Sequence, residues 1–218
     1  PWVAELRPRI TDDMVPRLAL KTVEQFVYEK VPYDWDWNTW GLSDYLPTVD
    51  EVVAKGREDC DGRAVIAASL LRNFGFQSRL VTDFAHVWVQ TDKGETMGPG
   101  KRKAVTVTDK GMQIDWGAFL QLPNVLSYGI AVFPWPREAV VLLVAWWLLL
   151  DRRASLRRAI LAAALLAAAL LLIRWSGDDY WNPVRWIRWS GVALLLATPL
   201  GMLWAGIRKK KAVQPSAM

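Results

Sequence analysis

The pattern of apolar and polar positions divides the chain into two parts. Up to about residue 116, apolar residues recur at helical or strand spacing, whereas beyond residue 135 they form long runs. Helical spacing predicts helices over about 11–28, 49–55 and 60–74. Strand-like segments follow at 79–82, 86–90, 104–108 and 112–116. Because the helices precede strands joined by short connections, the predicted class is α+β, with helices followed by an antiparallel sheet.

The apolar runs of the last third predict about three transmembrane helices, at 136–150, 159–174 and 186–207. A helix of about 15 residues spans roughly 22 Å, which is short against a hydrocarbon core of roughly 30 Å. Arginine snorkelling, local thinning of the bilayer or burial beside partner subunits would accommodate the two short helices. The alternative, an apolar hairpin inside a soluble protein, is disfavoured because so small a domain cannot cover three such helices.

The predicted organisation is therefore an extracytoplasmic domain at 1–125, a transmembrane region at 126–211 and a cytoplasmic tail at 212–218. Each of these divisions follows from the change in hydrophobic pattern. If the first domain is exported, we expect that a signal or anchor was removed or omitted, or that export uses another route.

Charge differs between the two parts of the chain. Residues 1–135 carry 15 Lys/Arg and 18 Asp/Glu, a net charge of −3, and residues 136–218 carry 12 and 4, a net charge of +8. The basic residues of the second part cluster at 151–158 and 208–218, beside apolar runs, which indicates a lipid bilayer rather than nucleic acid as the partner. The positive-inside rule places both clusters in the cytoplasm and the N-terminal domain in the periplasm of a bacterial inner membrane.

Cys60 is the only cysteine and His86 the only histidine, so an internal disulfide is excluded. Cys60 lies at the start of a predicted helix and His86 at the start of a following strand, the layout of a Cys-His nucleophile pair. A helix N-terminus favours the thiolate, its N–H groups can stabilise an oxyanion, and His86 could accept the thiol proton. The alternative is a small buried cysteine beside a structural histidine.

The residues around this pair carry a resemblance. They read Gly56-x-x-Asp59-Cys60-Asp61-Gly62-Arg63-Ala64, then an apolar helix ending at Gly75, then His86-x-Trp88-Val89. This pattern resembles the transglutaminase-like superfamily of papain-type cysteine peptidases and acyltransferases, and segments 31–33 and 40–45 look like its bacterial branch. The resemblance covers about residues 15–116. It implies a papain/transglutaminase-like fold with Cys60 as nucleophile and His86 as base; we expect no cofactor and no metal.

Two positions depart from the pattern of the family. Glu58 stands where the family usually has glycine, and Gly98 stands where it usually has the aspartate that orients the histidine. Other carboxylates that could orient the imidazole are Asp92, Glu95, Asp109 and Asp115. Glu95 is three residues from Gly98, and such a shift in a strand points the side chain to the opposite face. The triad is therefore predicted to be degraded.

Two functions remain open on the sequence. The first is a membrane-anchored cysteine peptidase, amidase or acyltransferase that acts on a protein or peptide substrate. The second is a non-catalytic assembly subunit of a larger membrane complex, for example an energy-transducing respiratory or photosynthetic complex, with other membrane subunits as partners. The second is favoured by the missing aspartate, by the short spans, and by the pairs Ala163/Ala167 and Ala164/Ala168, whose spacing lets helices approach closely.

Overall fold

A computed structural model gives the structure of the chain. It describes residues 1–83, 86–98, 104–108, 111–150, 155–177 and 184–213. The chain forms two compact units, Pro1–Leu120 and Gln121–Met218. The domain boundary predicted near residue 125 lies a few positions later, inside a helix that begins at Leu122.

Helices dominate the first 73 residues of the first unit. They are α1 (Trp2–Leu6), a 3-10 helix (Arg7–Arg9), α2 (Pro16–Lys30), α3 (Asp36–Thr39), α4 (Val49–Lys55) and α5 (Cys60–Asn73). Helix α2 begins at Pro16 rather than near Thr11, because proline fits the first turn of a helix, where its missing N–H is not needed. Helix α4 has a capping box between Thr48 and Glu51 and ends at Gly56, whose φ of 67° is left-handed.

Two small antiparallel sheets follow. The first has the order β1 (Ser78–Thr82), β2 (Val87–Thr91), β3 (Gly94–Thr96), and the second pairs β4 (Val105–Thr108) with β5 (Gly111–Ile114). In the first sheet Val89 lies opposite both Leu80 and Thr96. The mixture of helices and antiparallel strands is that of an α+β domain, and the strands form two sheets in the described part of the chain, not one.

The core of the first unit places the start of α5 near the start of β2. Helix α5 packs against α2 on one side and against β1 and β2 on another. Its buried side chains join those of α2 in one cluster, which includes Val23, Phe26, Val27, Ile66 and Leu71. Because burial of an aliphatic or aromatic side chain contributes about 1.5–3 kcal/mol, this cluster fixes α5 firmly and its first residue with it.

The described residues of the second unit form four helices, and a 3-10 helix (Trp116–Gln121) precedes them. The helices are α6 (Leu122–Val132), α7 (Trp135–Leu149), α8 (Leu156–Gly177) and α9 (Arg185–Val213). Helices α6 and α7 meet at an angle of 109°. Arg174 of α8 donates to the carbonyls of Ile130 and Phe133 at this bend, at 2.7 and 2.9 Å. It therefore satisfies backbone groups that the break leaves without helical partners.

Within the described residues, α8 alone is long and apolar enough by itself to cross a membrane, with a mean hydropathy of 2.2. Helices α6 and α7 count as a second crossing if the bent pair is taken as one broken span. The three-span prediction therefore stays a prediction. Segments 151–154, 178–183 and 214–218 of the predicted loops and tail lie outside the described residues.

Candidate functional site

Cys60 is the first residue of α5, as predicted. The carboxylate of Asp59 caps the helix by accepting the Asp61 N–H at 3.3 Å. The first turn is tightly packed, since a Cβ atom on Gly62 would lie 2.0 Å from Cγ of the fully buried Glu58. A glycine at 62 is therefore needed for Glu58 to pack beneath the turn that carries the thiol.

The Cys60 sulfur lies against the start of β2. The backbone N–H of Val87 forms a hydrogen bond with it that lowers the pKa of the thiol. His86 directly precedes Val87 and is half-buried. The fold thus brings the two predicted site residues to neighbouring positions, one at a helix N-terminus and one just before a strand. The transfer of a proton from the thiol to the His86 ring stays a prediction.

The ring of His86 is held by a main-chain group. Its Nε2 atom lies 2.8 Å from the carbonyl oxygen of Met97. Because a carbonyl oxygen can only accept a hydrogen bond, Nε2 carries the proton, and Nδ1 of the neutral ring is the unprotonated nitrogen that can accept one. The backbone of His86 is held separately: its N–H donates to Oδ1 of Asp83, and the Asp83 N–H donates to its carbonyl, both at 3.1 Å.

The carboxylates considered as substitutes for the missing aspartate have different positions. Asp92 accepts the Gln77 N–H at 3.1 Å, and Asp115 accepts the Gly117 N–H at 2.8 Å. Asp109 lies outside the described residues. Glu95 is in β3, and its Oε1 atom lies 3.7 Å from the point where a Cβ atom on Gly98 would be. The expectation that Glu95 faces away from position 98 is therefore wrong, because β3 ends at Thr96 and the left-handed Met97 interrupts the alternation of a strand. The contact is of ordinary length, so the space beside Gly98 is open to a small side chain.

A cluster of four carboxylates lies beside the thiol. It consists of Asp36, Glu58, Asp59 and Asp61, with one oxygen of each within 4.8 Å of the others. Three of the four are buried, with exposed fractions of 0 to 6 %. Trp40 Nε1 donates to Glu58, and the Tyr45 N–H donates to Oδ2 of Asp36 at 2.5 Å.

Such a cluster can stay buried only if its negative charge is reduced. Burial, followed by the charge of Asp59, raises the pKa of Asp36 to about 7. Burial is also the main cause that raises the pKa of Asp61 to about 9 and that of Glu58 above its usual range. At neutral pH the Asp61 carboxyl is therefore mostly protonated and that of Asp36 partly so, which lowers the charge of the cluster. Their oxygens are also of the type that Ca²⁺ and Mg²⁺ prefer, so these residues could hold a hard cation.

The expectation that the helix N-terminus lowers the pKa of Cys60 is wrong. Burial, followed by the charge of Asp59, raises the pKa of the thiol from 9.0 to about 12, with a smaller contribution from Asp61. The hydrogen bond from Val87 acts in the opposite direction and is outweighed. Desolvation and a like charge next to the sulfur exceed the effect of the helix dipole. The thiol is therefore neutral at physiological pH and depends on a base for activation.

Sequence reasoning missed two parts of the site. Asp36 comes from a segment more than twenty residues before the cysteine, and only the acidic run at 58–61 signalled that carboxylates would gather there. The Met97 carbonyl could not have been found, because every residue has a carbonyl and the fold alone selects one of them.

Comparison with known proteins gives one match. No curated protein and no solved structure matches the chain significantly. The sequence of residues 4–110, by contrast, matches the family described as the transglutaminase-like superfamily. The matched range contains Cys60, His86, Met97 and the four clustered carboxylates. The site described above thus lies within the part of the chain that is similar to the transglutaminase-like superfamily.

Proposed function

We propose that the first unit is a thiol acyl-transfer domain that acts on a protein or peptide substrate. One observation carries this proposal: the bond from His86 Nε2 to Met97 leaves Nδ1 unprotonated, and His86 directly precedes the strand residue whose N–H contacts the Cys60 sulfur. The transglutaminase-like match supports the same chemistry, since peptidases and acyltransferases of this superfamily type share a thiol nucleophile.

The reaction has two steps. The Cys60 sulfur attacks an amide carbonyl of the substrate while its proton passes to Nδ1 of His86. The C–N bond then breaks, the proton moves from Nδ1 to the leaving nitrogen, and a thioester remains on Cys60. A water molecule or an amine attacks the thioester in the second step, again losing a proton to Nδ1, and the thiol is restored. In the first turn of α5 the N–H groups of Asp61 and Gly62 already donate to carboxylates, so the N–H of Cys60 is the donor that this proposal assigns to the oxyanion.

Acylation of the single cysteine tests this function. The full chain in detergent micelles is mixed with p-nitrophenyl acetate, and the release of nitrophenolate and the mass of the protein are followed. We expect one acetyl group per chain in the wild type and none in Cys60→Ala. His86→Gln keeps a donor for the Met97 carbonyl but has no base, so we expect a rate at least about 100-fold lower. Equal rates for wild type and His86→Gln would exclude the proposed base.

The raised pKa of Cys60 favours a second candidate, a non-catalytic assembly subunit. In that case Cys60→Ala leaves the cellular function and the assembly of the protein intact. The surface used for assembly would then lie on α8, where Ala164 and Ala167 are exposed while Ala162 and Ala169 are buried within the unit. If the protein is an assembly subunit, Ala167→Leu should weaken assembly. If it is an acyl-transfer enzyme, the same substitution should leave the acylation of Cys60 unchanged.

We further propose that the second unit anchors the protein in a bacterial inner membrane, with the first unit in the periplasm. The apolar helix α8 and the basic clusters at 151–158 and 208–218 support this orientation. In a Cys60→Ala background, single cysteines replace Ser155 or Ser216 and intact spheroplasts are treated with a membrane-impermeant maleimide. We expect both positions to be labelled only after the membrane is permeabilised. Labelling of either one in intact spheroplasts would contradict the orientation.

A further inference from the structure

We propose that the main-chain carbonyl of Met97 takes the place of the missing aspartate, and that Glu24 is the positioning residue that turns this carbonyl toward His86. The inference rests on the proposed function and extends it, because it identifies the third group of the site. It assigns a role to a residue of α2 that lies far from Cys60 and His86 in sequence.

The backbone of Met97 has an unusual conformation. Its φ is 61°, and it is the one non-glycine residue with positive φ in the described ranges of the chain. An L-residue adopts this left-handed region at an energetic cost and keeps it only where surrounding contacts enforce it. The Met97 side chain is 5 % exposed, so it is packed into the core rather than free to relax. The strained conformation points its carbonyl at the ring of His86.

Glu24 supplies the contacts that enforce this conformation. Its Oε2 atom accepts the Met97 N–H at 3.2 Å and the hydroxyl of Thr96 at 2.8 Å. Helix α2 is a core helix, with Val23, Phe26 and Val27 fully buried, so it is a rigid support for the carboxylate. With the N–H of Met97 fixed on one side and its side chain buried, the carbonyl has a fixed direction.

This arrangement determines the tautomer of His86. The carbonyl requires a proton on Nε2 and thereby reserves Nδ1 for the thiol proton, which is the tautomer-fixing role that an aspartate has in a triad. A carbonyl lacks a full negative charge, so it stabilises the imidazolium less than a carboxylate does. If Glu24 only fastened β3 to α2, its removal would change stability without changing the tautomer.

Because His86 is the only histidine, ¹⁵N-histidine labelling of the full chain in detergent micelles reports on this ring alone. We expect the neutral wild-type ring to be protonated at Nε2. In Glu24→Ala the two tautomers should mix, and acetylation of Cys60 by p-nitrophenyl acetate should be about tenfold slower. Glu24→Gln retains an acceptor for Met97 and should behave like the wild type. The control is Glu29→Ala, which removes an exposed carboxylate of the same helix, paired with Arg9.

A wild-type ring protonated at Nδ1 would overturn the inference, and this result needs no variant to fold. An unchanged tautomer and rate in a folded Glu24→Ala protein would overturn it as well. Failure of the proposed function would give a different result. The His86 ring would be protonated at Nε2, and this tautomer would be lost in Glu24→Ala, but Cys60 would not be acetylated. That outcome supports the role of Glu24 in orienting the ring and excludes the acyl-transfer reaction.

Discussion

We expect Gly98→Asp to raise the rate of Cys60 acetylation by at least about tenfold. Residue 98 directly follows the carbonyl that bonds to the His86 ring, so a carboxylate there lies within reach of Nε2. A Cβ atom on Gly98 would have ordinary contacts of 3.7 Å with Trp88 and with a carboxylate oxygen of Glu95, so the side chain has room. The like charge of Glu95 opposes the new carboxylate, and the expected gain is what remains after this repulsion. A carboxylate fixes the same tautomer as the carbonyl and in addition stabilises the imidazolium that forms when the thiol is deprotonated, an effect worth up to about 10⁴-fold in a complete triad.

Gly98→Asn is the matched control, because asparagine has the same shape without the charge. It should leave the rate close to that of the wild type. A rise in both variants would assign the effect to packing, and an unchanged rate in a folded Gly98→Asp protein would contradict the prediction. The rates are measured from nitrophenolate release by the full chain in detergent micelles.

We also expect Cys60 to be a slow nucleophile toward iodoacetamide. Raising the pKa of a thiol from 9.0 to about 12 lowers the thiolate fraction at neutral pH about 1000-fold. The more basic thiolate is intrinsically about 30-fold more reactive, so the net expectation is alkylation about 30-fold slower than that of an ordinary cysteine. The rate should rise about tenfold for each pH unit and continue to rise above about pH 10, where an ordinary thiol with a pKa of 9.0 is already mostly ionised. Mass spectrometry of the folded full chain at increasing pH measures this profile.

Asp59→Asn tests the electrostatic part of this expectation. After burial, the charge of Asp59 is the largest cause of the raised pKa of Cys60. An asparagine at position 59 can still cap α5. Removal of the charge should lower the pKa of the thiol and make alkylation about threefold faster at pH 8. Asp50→Asn, which removes an exposed carboxylate of α4, should have no effect. Equal rates in wild type and Asp59→Asn would show that burial alone raises the pKa.

The sequence was informative about local structure around the nucleophile. The apolar pattern with Gly56 and Gly75 as stops predicted helices at 49–55 and 60–74, and α4 and α5 begin at the expected residues. The structure adds a capping box between Thr48 and Glu51 at the start of α4. The start of α2 was predicted too early, since the acidic pair after Thr11 resembles a helix cap while Pro16 determines the actual first turn. The start and end of a helix depend on a few neighbouring residues, so they can be predicted from the sequence.

The electrostatics of the site could not be predicted in the same way. The position of Cys60 at a helix N-terminus is a local feature, and the expectation that it would lower the pKa of the thiol was wrong. The burial of the sulfur, which is the largest cause of its raised pKa, depends on packing between elements distant in the chain, and the sequence does not specify that packing residue by residue. The charges of Asp59 and Asp61 act in the same direction and stand beside Cys60 in the sequence, so their effect could have been expected.

Because the acceptor for His86 is a main-chain carbonyl, the site evolves under different constraints from one that uses a side chain. The carbonyl bonded to His86 would be present with any amino acid at position 97, so no single codon change can delete it. Selection would instead act on the side chains that hold the peptide in place, Glu24 above all. Homologues are misclassified if they are called active or inactive only by whether an aspartate stands at the position equivalent to 98. A homologue without it could still orient its histidine through a backbone carbonyl. Covariation between the positions equivalent to 24 and 96 would be the more informative genetic signature.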